Sequence, residues 1–170
     1  MKRRSIKPLV HFAALLCLIA VSCHSQPQNK DPVLLQNNID TMQLTSGAFK
    51  NEEEIPAKYT CSGEDINPPL IISGIPAKAK SLAFILDDPD APNGTFTHWI
   101  MWNIYPQTKN IAENSVPRNA IQGENSAGQN KYFGPCPPSG IHHYHFKIYA
   151  LDTMLSLPGN AHVEQLEKAM

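Results

Sequence analysis

Clustered positive charge is missing from most of this chain. Of the 14 lysines and arginines in its 170 residues, four (Lys2, Arg3, Arg4 and Lys7) stand together at the amino terminus. The residues that follow hold ten cations against 15 anions, a net charge of −5. Sequence-independent binding to nucleic acid needs clustered lysine and arginine. The excess of anions over cations therefore excludes a protein that binds nucleic acid in this way. Hydrophobic residues make up 42% of the chain, which is enough for a packed core.

An apolar run long enough to cross a membrane is also missing. The longest run, Leu9–Val21, is apolar except for His11. As a helix it reaches about 20 Å, against roughly 30 Å for a bilayer core. A basic segment, a short apolar segment and small residues before a cleavage point are typical of a signal peptide. We therefore predict a lipoprotein signal peptide over residues 1–22.

The end of this segment resembles a bacterial lipobox. It reads Ile19-Ala20-Val21-Ser22-Cys23, which predicts that Cys23 is the first mature residue and carries acyl chains such as palmitate. Residues 23–40, rich in Gln, Asn, Ser and Pro, are predicted to form a flexible tether to a domain over residues 41–170. The expected location is the bacterial cell envelope, lipid-anchored to a membrane on its exported side.

Two other interpretations of the amino terminus stay open. An ordinary signal peptide cut nearby leaves Cys23 without a role. Arg3-Arg4 also occurs in twin-arginine signals.

Cysteine is scarce, with four residues in the chain. Cys17 leaves with the predicted signal and Cys23 is predicted to be lipidated, so Cys61 and Cys136 remain for the folded domain. Export to a space that permits disulfides favours a bond between them. Two separately buried thiols are the alternative. The spacing does not match a zinc–cysteine or thioredoxin motif.

Proline outnumbers glycine, 15 to nine, which favours many short segments joined by turns. Strands are predicted at Thr41–Phe49, Leu70–Ile72, Ser81–Leu86, Trp99–Ile104 and His143–Leu151, and a helix at His162–Met170. Trp99 and Trp102 are expected on opposite faces of their strand. The long polar segment Ile104–Lys131 is predicted to be functional, because plain connections are shorter. Strands without intervening helices predict a mainly antiparallel β domain. Fourteen prolines follow the signal, which predicts about one cis X–Pro bond.

Two segments combine stiff proline turns with carboxylates or imidazoles at strand ends. The first is Asp87-Asp88-Pro89-Asp90-Ala91-Pro92, followed by Thr97-His98-Trp99. The second runs from Tyr132 through Gly134-Pro135-Cys136-Pro137-Pro138 to His142-His143-Tyr144-His145-Phe146. Because proline fixes φ, such loops need little further ordering when a ligand binds.

These segments resemble the phosphatidylethanolamine-binding protein family, specifically its bacterial Raf-kinase-inhibitor-like branch. Tyr59-Thr60-Cys61 and Asn67-Pro68-Pro69-Leu70 are also similar to that branch. The resemblance covers roughly Leu44 to Glu167. It implies a mainly β fold with a large central antiparallel sheet, a smaller flanking sheet and few short helices.

The resemblance also implies a small surface pocket for an anion such as phosphate or a phospholipid head group. The pocket residues it implies are Asp88, Asp90, His98, Gly134, Pro135, His142 and Tyr144. We expect a membrane-anchored binding or inhibitor-like module, not an enzyme, with no cofactor or metal. Its expected partners are the small anionic ligand, the membrane and an unidentified protein. Family members usually continue beyond the last helix, so either the domain is shortened at its C-terminus or its C-terminal edge is built differently.

Two enzymatic alternatives stay open. In the first, His98, His142, His143 or His145 binds a metal together with Asp88, although no HExxH or HxHxD motif is present. In the second, Ser139 acts as a nucleophile, although it lacks the GxSxG pattern.

The lipobox leads to a direct test on Cys23. Replacing Cys23 by Ala should release the protein from membranes into the soluble fraction, because stable anchoring depends on the acyl chains. Cell fractionation followed by immunoblotting measures this. Persistent membrane association of the Cys23→Ala variant would contradict the predicted anchor.

Overall fold

The computed structural model describes residues 41–170. The predicted signal peptide, Cys23 and the tether lie outside these residues. The strands are β1 (Gln43–Ser46), β2 (Leu70–Ser73), β3 (Ser81–Asp88), β4 (Phe96–Ile104), β5 (Asn110–Ile111), β6 (Ile121–Gln122) and β7 (His145–Leu151). The helices are one 3-10 turn (Ala57–Tyr59) and α1 (Val163–Ala169). No helix within residues 41–170 is long and apolar enough to cross a membrane.

The strands form two antiparallel sheets. The larger has four strands in the order β6-β4-β3-β7, and the smaller has three in the order β1-β2-β5. Each neighbouring pair runs antiparallel. The predicted mainly β fold, with a larger and a smaller sheet and little helix, is confirmed.

The larger sheet is buried on both faces. Every residue of β3 is buried, both the apolar run Leu82–Leu86, as expected for a strand covered on both faces, and the polar residues at its ends. One face holds Phe84 and Trp99, whose ring centroids are 5.3 Å apart, and the other holds Ile85 and Trp102. The expectation that Trp99 and Trp102 lie on opposite faces is confirmed. Along β7, the alternating residues Phe146 and Ile148 pack on the Trp99 face.

Several boundaries differ from the sequence prediction. The first strand covers only Gln43–Ser46, because its partner β2 is also four residues long. The polar segment 104–131 contains two short strands, β5 and β6, whose two residues each are too few to show a periodicity. Residues 41–170 contain no cis peptide bond, so the expectation of a cis proline is wrong for this part. In ordered loops the tertiary contacts select one isomer.

Strand pairing brings the two motif segments to one end of the larger sheet. Asp88 ends β3 and is paired with Phe96, so the proline-rich turn 89–95 lies between them and His98 follows two residues later. On the other side of β3, Asp87 is paired with His145, the first residue of β7. The residues that precede His145 therefore lie beside Asp88.

Candidate functional site

A pocket of about 130 Å³ lies between the two motif segments. It is lined by Asp88, Ala91, Pro92, Phe96, His98, Phe133, Cys136, Pro138 and His142. Three of the seven residues implied by the family resemblance, Asp88, His98 and His142, are therefore in its wall. The rest of the wall is mainly apolar.

The His98 ring is fixed by the chain opposite it. Its Nδ1 lies 2.7 Å from the carbonyl oxygen of Phe133, and the Phe133 amide donates back to the His98 carbonyl at 3.2 Å. Because a carbonyl oxygen only accepts, Nδ1 must carry the hydrogen. Burial lowers the pKa of His98 below its ordinary value, against the raising effect of that carbonyl and of nearby carboxylates. At neutral pH, His98 is therefore uncharged and its Nε2 is a lone-pair acceptor.

His142 is held in the same way by a carboxylate. Its Nδ1 lies 2.7 Å from Asp88 Oδ2, and the two side chains are only 7% and 5% exposed. The ionised carboxylate accepts the Nδ1 hydrogen, which again leaves Nε2 for a ligand. Asp88 Oδ1 accepts the backbone amide of Asp90 at 2.9 Å, so both carboxylate oxygens are used to shape the site.

Tyr144 lies next to the pocket but is not part of its lining. Its ring meets the His98 ring edge-on, with centroids 5.3 Å apart and planes at 80°. Its hydroxyl is buried and makes no hydrogen bond, although the Cys136 backbone amide is near enough to affect its titration. Burial, with a smaller contribution from Asp88, raises the pKa of Tyr144 to about 12.

Gly134 and Pro135 stand behind the pocket wall. The Gly134 amide donates to Asp65 Oδ1 at 2.6 Å, and the Pro135 carbonyl accepts from the Cys61 amide at 3.1 Å. Their backbone groups are therefore occupied within the protein and position the wall.

Asp90 lies outside the pocket. Its Oδ2 accepts both the backbone amide and Nδ1 of His143, at 2.8 and 2.6 Å, and these bonds lower the pKa of Asp90. The His143 side chain is 73% exposed. This pair fastens the loop at the surface, and neither residue lines the pocket.

The apolar wall was not predicted from the sequence. Phe96 and Phe133 have ring centroids 5.8 Å apart, and Phe96 lies 4.8 Å from His98. All the apolar lining residues belong to the two motif segments or adjoin them. Their position next to these motifs in the sequence was the signal from which the apolar wall could have been predicted. The functional expectation for segment 104–131 is not supported, since none of its residues lines this pocket.

One carboxylate, that of Asp88, and two imidazoles line the pocket. No lysine or arginine lines it, and no three His, Cys, Asp or Glu within residues 41–170 are arranged to hold a metal ion. The geometry therefore gives the metal-dependent alternative no support. A smaller cavity of about 70 Å³ beside the start of α1 is lined by Thr97 of the first motif segment together with residues that include Glu124 and Glu164.

Known proteins share both sequence and fold with this chain. The profile of the phosphatidylethanolamine-binding protein family matches residues 45–170. A UPF0098 protein of Pyrococcus abyssi is 55% identical over 140 residues, covering 77% of this chain and 78% of its own. Another, from Pyrococcus horikoshii, is 56% identical over 133 residues, covering 74% and 67%.

Two crystal structures match the fold. A homologue of phosphatidylethanolamine-binding protein from Chlamydia trachomatis superposes with a TM-score of 0.74 at 46% identity, covering 77% of this chain and 88% of that one. YbcL of E. coli, described as a member of the mammalian family, gives 0.70 at 31% identity, covering 75% and 87%.

The close approach behind the wall leads to a stability test at Gly134. A Cβ there would lie 2.7 Å from Asp65 Oδ1 and 2.8 Å from the Tyr59 carbonyl oxygen. Gly134→Ala should therefore lower the free energy of unfolding by about 1–3 kcal/mol, measured by urea titration. Gly47→Ala is the matched control, because nothing lies within 4 Å of its Cβ position. Equal stability of the two variants would contradict the close packing.

Proposed function

The chain belongs to the phosphatidylethanolamine-binding protein family, and we propose that it is a binding module whose pocket between Asp88, His98 and His142 takes a small anionic group. The proposed ligand is a phosphate group, either free phosphate or the phosphate of a phospholipid head group. The observation that carries the proposal is the pair of buried imidazoles at one end of a small apolar-walled pocket. Their Nδ1 atoms are bonded within the protein, which leaves both Nε2 atoms for a ligand.

The mode of binding follows from those two nitrogens. An unprotonated Nε2 accepts hydrogen bonds and gives an anion nothing to bind. The anion must therefore either bring a hydrogen of its own, as a P–OH group does, or bind together with a proton that charges an imidazole. Because the pocket lining has no permanent cation to compensate, we expect weak binding.

We also propose a role and a cellular location for the domain. The role is binding and not catalysis, with no cofactor. The domain is tethered through Cys23 on the exported side of the bacterial cell envelope, where a head group or a protein partner is within reach.

A titration with phosphoethanolamine tests the proposed site. The imidazole NMR signals of His98 and His142 should shift and saturate, and inorganic phosphate should move the same signals if the phosphate group is what binds. Asp88→Asn and His142→Ala should weaken binding about tenfold or more, since a hydrogen bond to a charged group contributes roughly 1.5–3 kcal/mol. His143→Ala is the control, because its side chain is bonded outside the pocket.

Circular dichroism on each variant checks that the fold is kept. The proposal is wrong if His98 and His142 signals do not respond to either ligand.

The pH dependence of sulfate binding is a separate prediction. Sulfate stays a dianion between pH 5 and 8, so the proton must be one that an imidazole of the pocket takes up from solvent. His98 faces Asp65, Asp87, Asp88 and the Tyr144 ring, and its pKa is lowered by burial. His142 faces Asp88 and Asp90.

A bound dianion raises the pKa of the imidazole it contacts, so the complex holds a proton that the free protein lacks. Affinity should therefore rise as the pH falls through the pKa of the complex, and level off below that of the free protein. Isothermal titration calorimetry from pH 8 to pH 5 measures this. A flat profile, or stronger binding at pH 8, would contradict it.

A further inference from the structure

One wall of the pocket lacks regular secondary structure. Residues 133–142 contain no helix or strand, yet they supply Phe133, Cys136, Pro138 and His142 to the lining. Because no strand pairing holds this wall, its position depends on individual bonds to other segments of the chain. At its ends these are the bonds of Phe133 to His98 and of His142 to Asp88.

Between those ends the wall is fastened to the loop that follows the 3-10 turn. The Gly134 amide bonds Asp65 and the Pro135 carbonyl bonds the Cys61 amide. The last tie is covalent, a disulfide between Cys61 and Cys136 with Cα atoms 5.4 Å apart. From residue 136 to residue 141 every residue is exposed. Within this segment the Cys136 backbone amide lies near the Tyr144 hydroxyl, and the next bond to another segment is that of His142 to Asp88. The disulfide is therefore the tie that fixes the middle of the wall.

We propose that this disulfide is a redox-controlled lock on the pocket, which dithiol reductants open and disulfide oxidants such as oxidised glutathione close by the reverse thiol–disulfide exchange. The inference rests on the proposed function of the pocket for its effect on binding. Both cysteines are exposed residues, so a reductant can reach the sulfurs. One thiolate of the dithiol attacks a sulfur to form a mixed disulfide, and its second thiol displaces the remaining cysteine. The protein S–S bond breaks, an S–S bond forms in the reductant, and the two cysteines gain two electrons and two protons.

The change on reduction is local. Cys61 and Cys136 belong to neither hydrophobic core cluster, so the packing of the larger sheet does not depend on them. The wall between Pro135 and His142 loses its covalent tie and samples open arrangements. A ligand that binds only the closed wall then binds in proportion to the closed fraction. If that fraction falls to about one tenth, the apparent Kd rises about tenfold.

Hydrogen exchange tests the lock without any ligand. On adding dithiothreitol to the purified chain, the amides of Cys61 and His143 should exchange faster, because they bond the Pro135 carbonyl and Asp90 Oδ2 at the two ends of the loosened segment. The amides of Ile100 and Met101 in β4 should keep their protection. The Cys61→Ser/Cys136→Ser double variant should resemble the reduced chain and be unaffected by dithiothreitol. Unchanged exchange of the wall, global loss of protection, or free Cys61 and Cys136 thiols in alkylation and peptide mapping of the unreduced chain would each overturn the proposal.

Phosphate titration adds the effect on binding. The apparent Kd for inorganic phosphate should rise about tenfold on reduction and recover on reoxidation. An equal Kd in both states would overturn the lock. If even the oxidised chain binds no phosphate, the proposed function fails, whereas the exchange measurement still decides for or against the redox-controlled wall.

Discussion

The buried hydrogen bond from His142 Nδ1 to Asp88 Oδ2 joins the two chain segments that make the site. Asp88 ends a central strand and is fixed by the sheet, whereas His142 ends a loop without regular structure. The bond gives the loop its position and gives the imidazole its tautomer. Removing one member of a buried pair of this kind leaves a polar group without its partner, at a cost of about 3–5 kcal/mol when a charge is left. Pocket shape and pocket chemistry thus depend on the same contact.

His98 is held in the same way, because the Phe133 carbonyl oxygen accepts a hydrogen bond from its Nδ1. Both imidazoles use Nδ1 for a bond within the protein, and the uncharged His98 ring offers its Nε2 as a hydrogen-bond acceptor. Carboxylates surround the site and no cation lines it. Under the proposed function, an anion would bind together with a proton, and its binding would respond to pH. The aromatic and proline side chains around the site limit access by water and strengthen each polar contact at its base.

Local patterns were enough to predict the class of the fold and the opposite faces of Trp99 and Trp102, because the alternation of side chains along a strand is a property of the strand itself. They did not reveal β5 and β6, which exist only through pairing with β2 and β4. In the site, the motifs indicated which loops matter but not how deep each residue lies. Gly134 is behind the wall because Asp65, 69 residues earlier in the chain, accepts its amide hydrogen. Tyr144 packs edge-on against His98, and Asp90 turns outward to His143. These placements depend on tertiary contacts between distant segments.

The nitrogen chemistry of the two histidines is the central claim. It is tested most directly by the ¹⁵N chemical shifts of the His98 and His142 rings at neutral pH, with and without a saturating anion. We expect both rings to carry a hydrogen on Nδ1 in the free protein, with Nε2 of His98 unprotonated, and at least one Nε2 to be protonated in the sulfate complex. Hydrogen on Nε2 of both rings in the free protein, or sulfate bound with both Nε2 atoms unprotonated, would contradict the account.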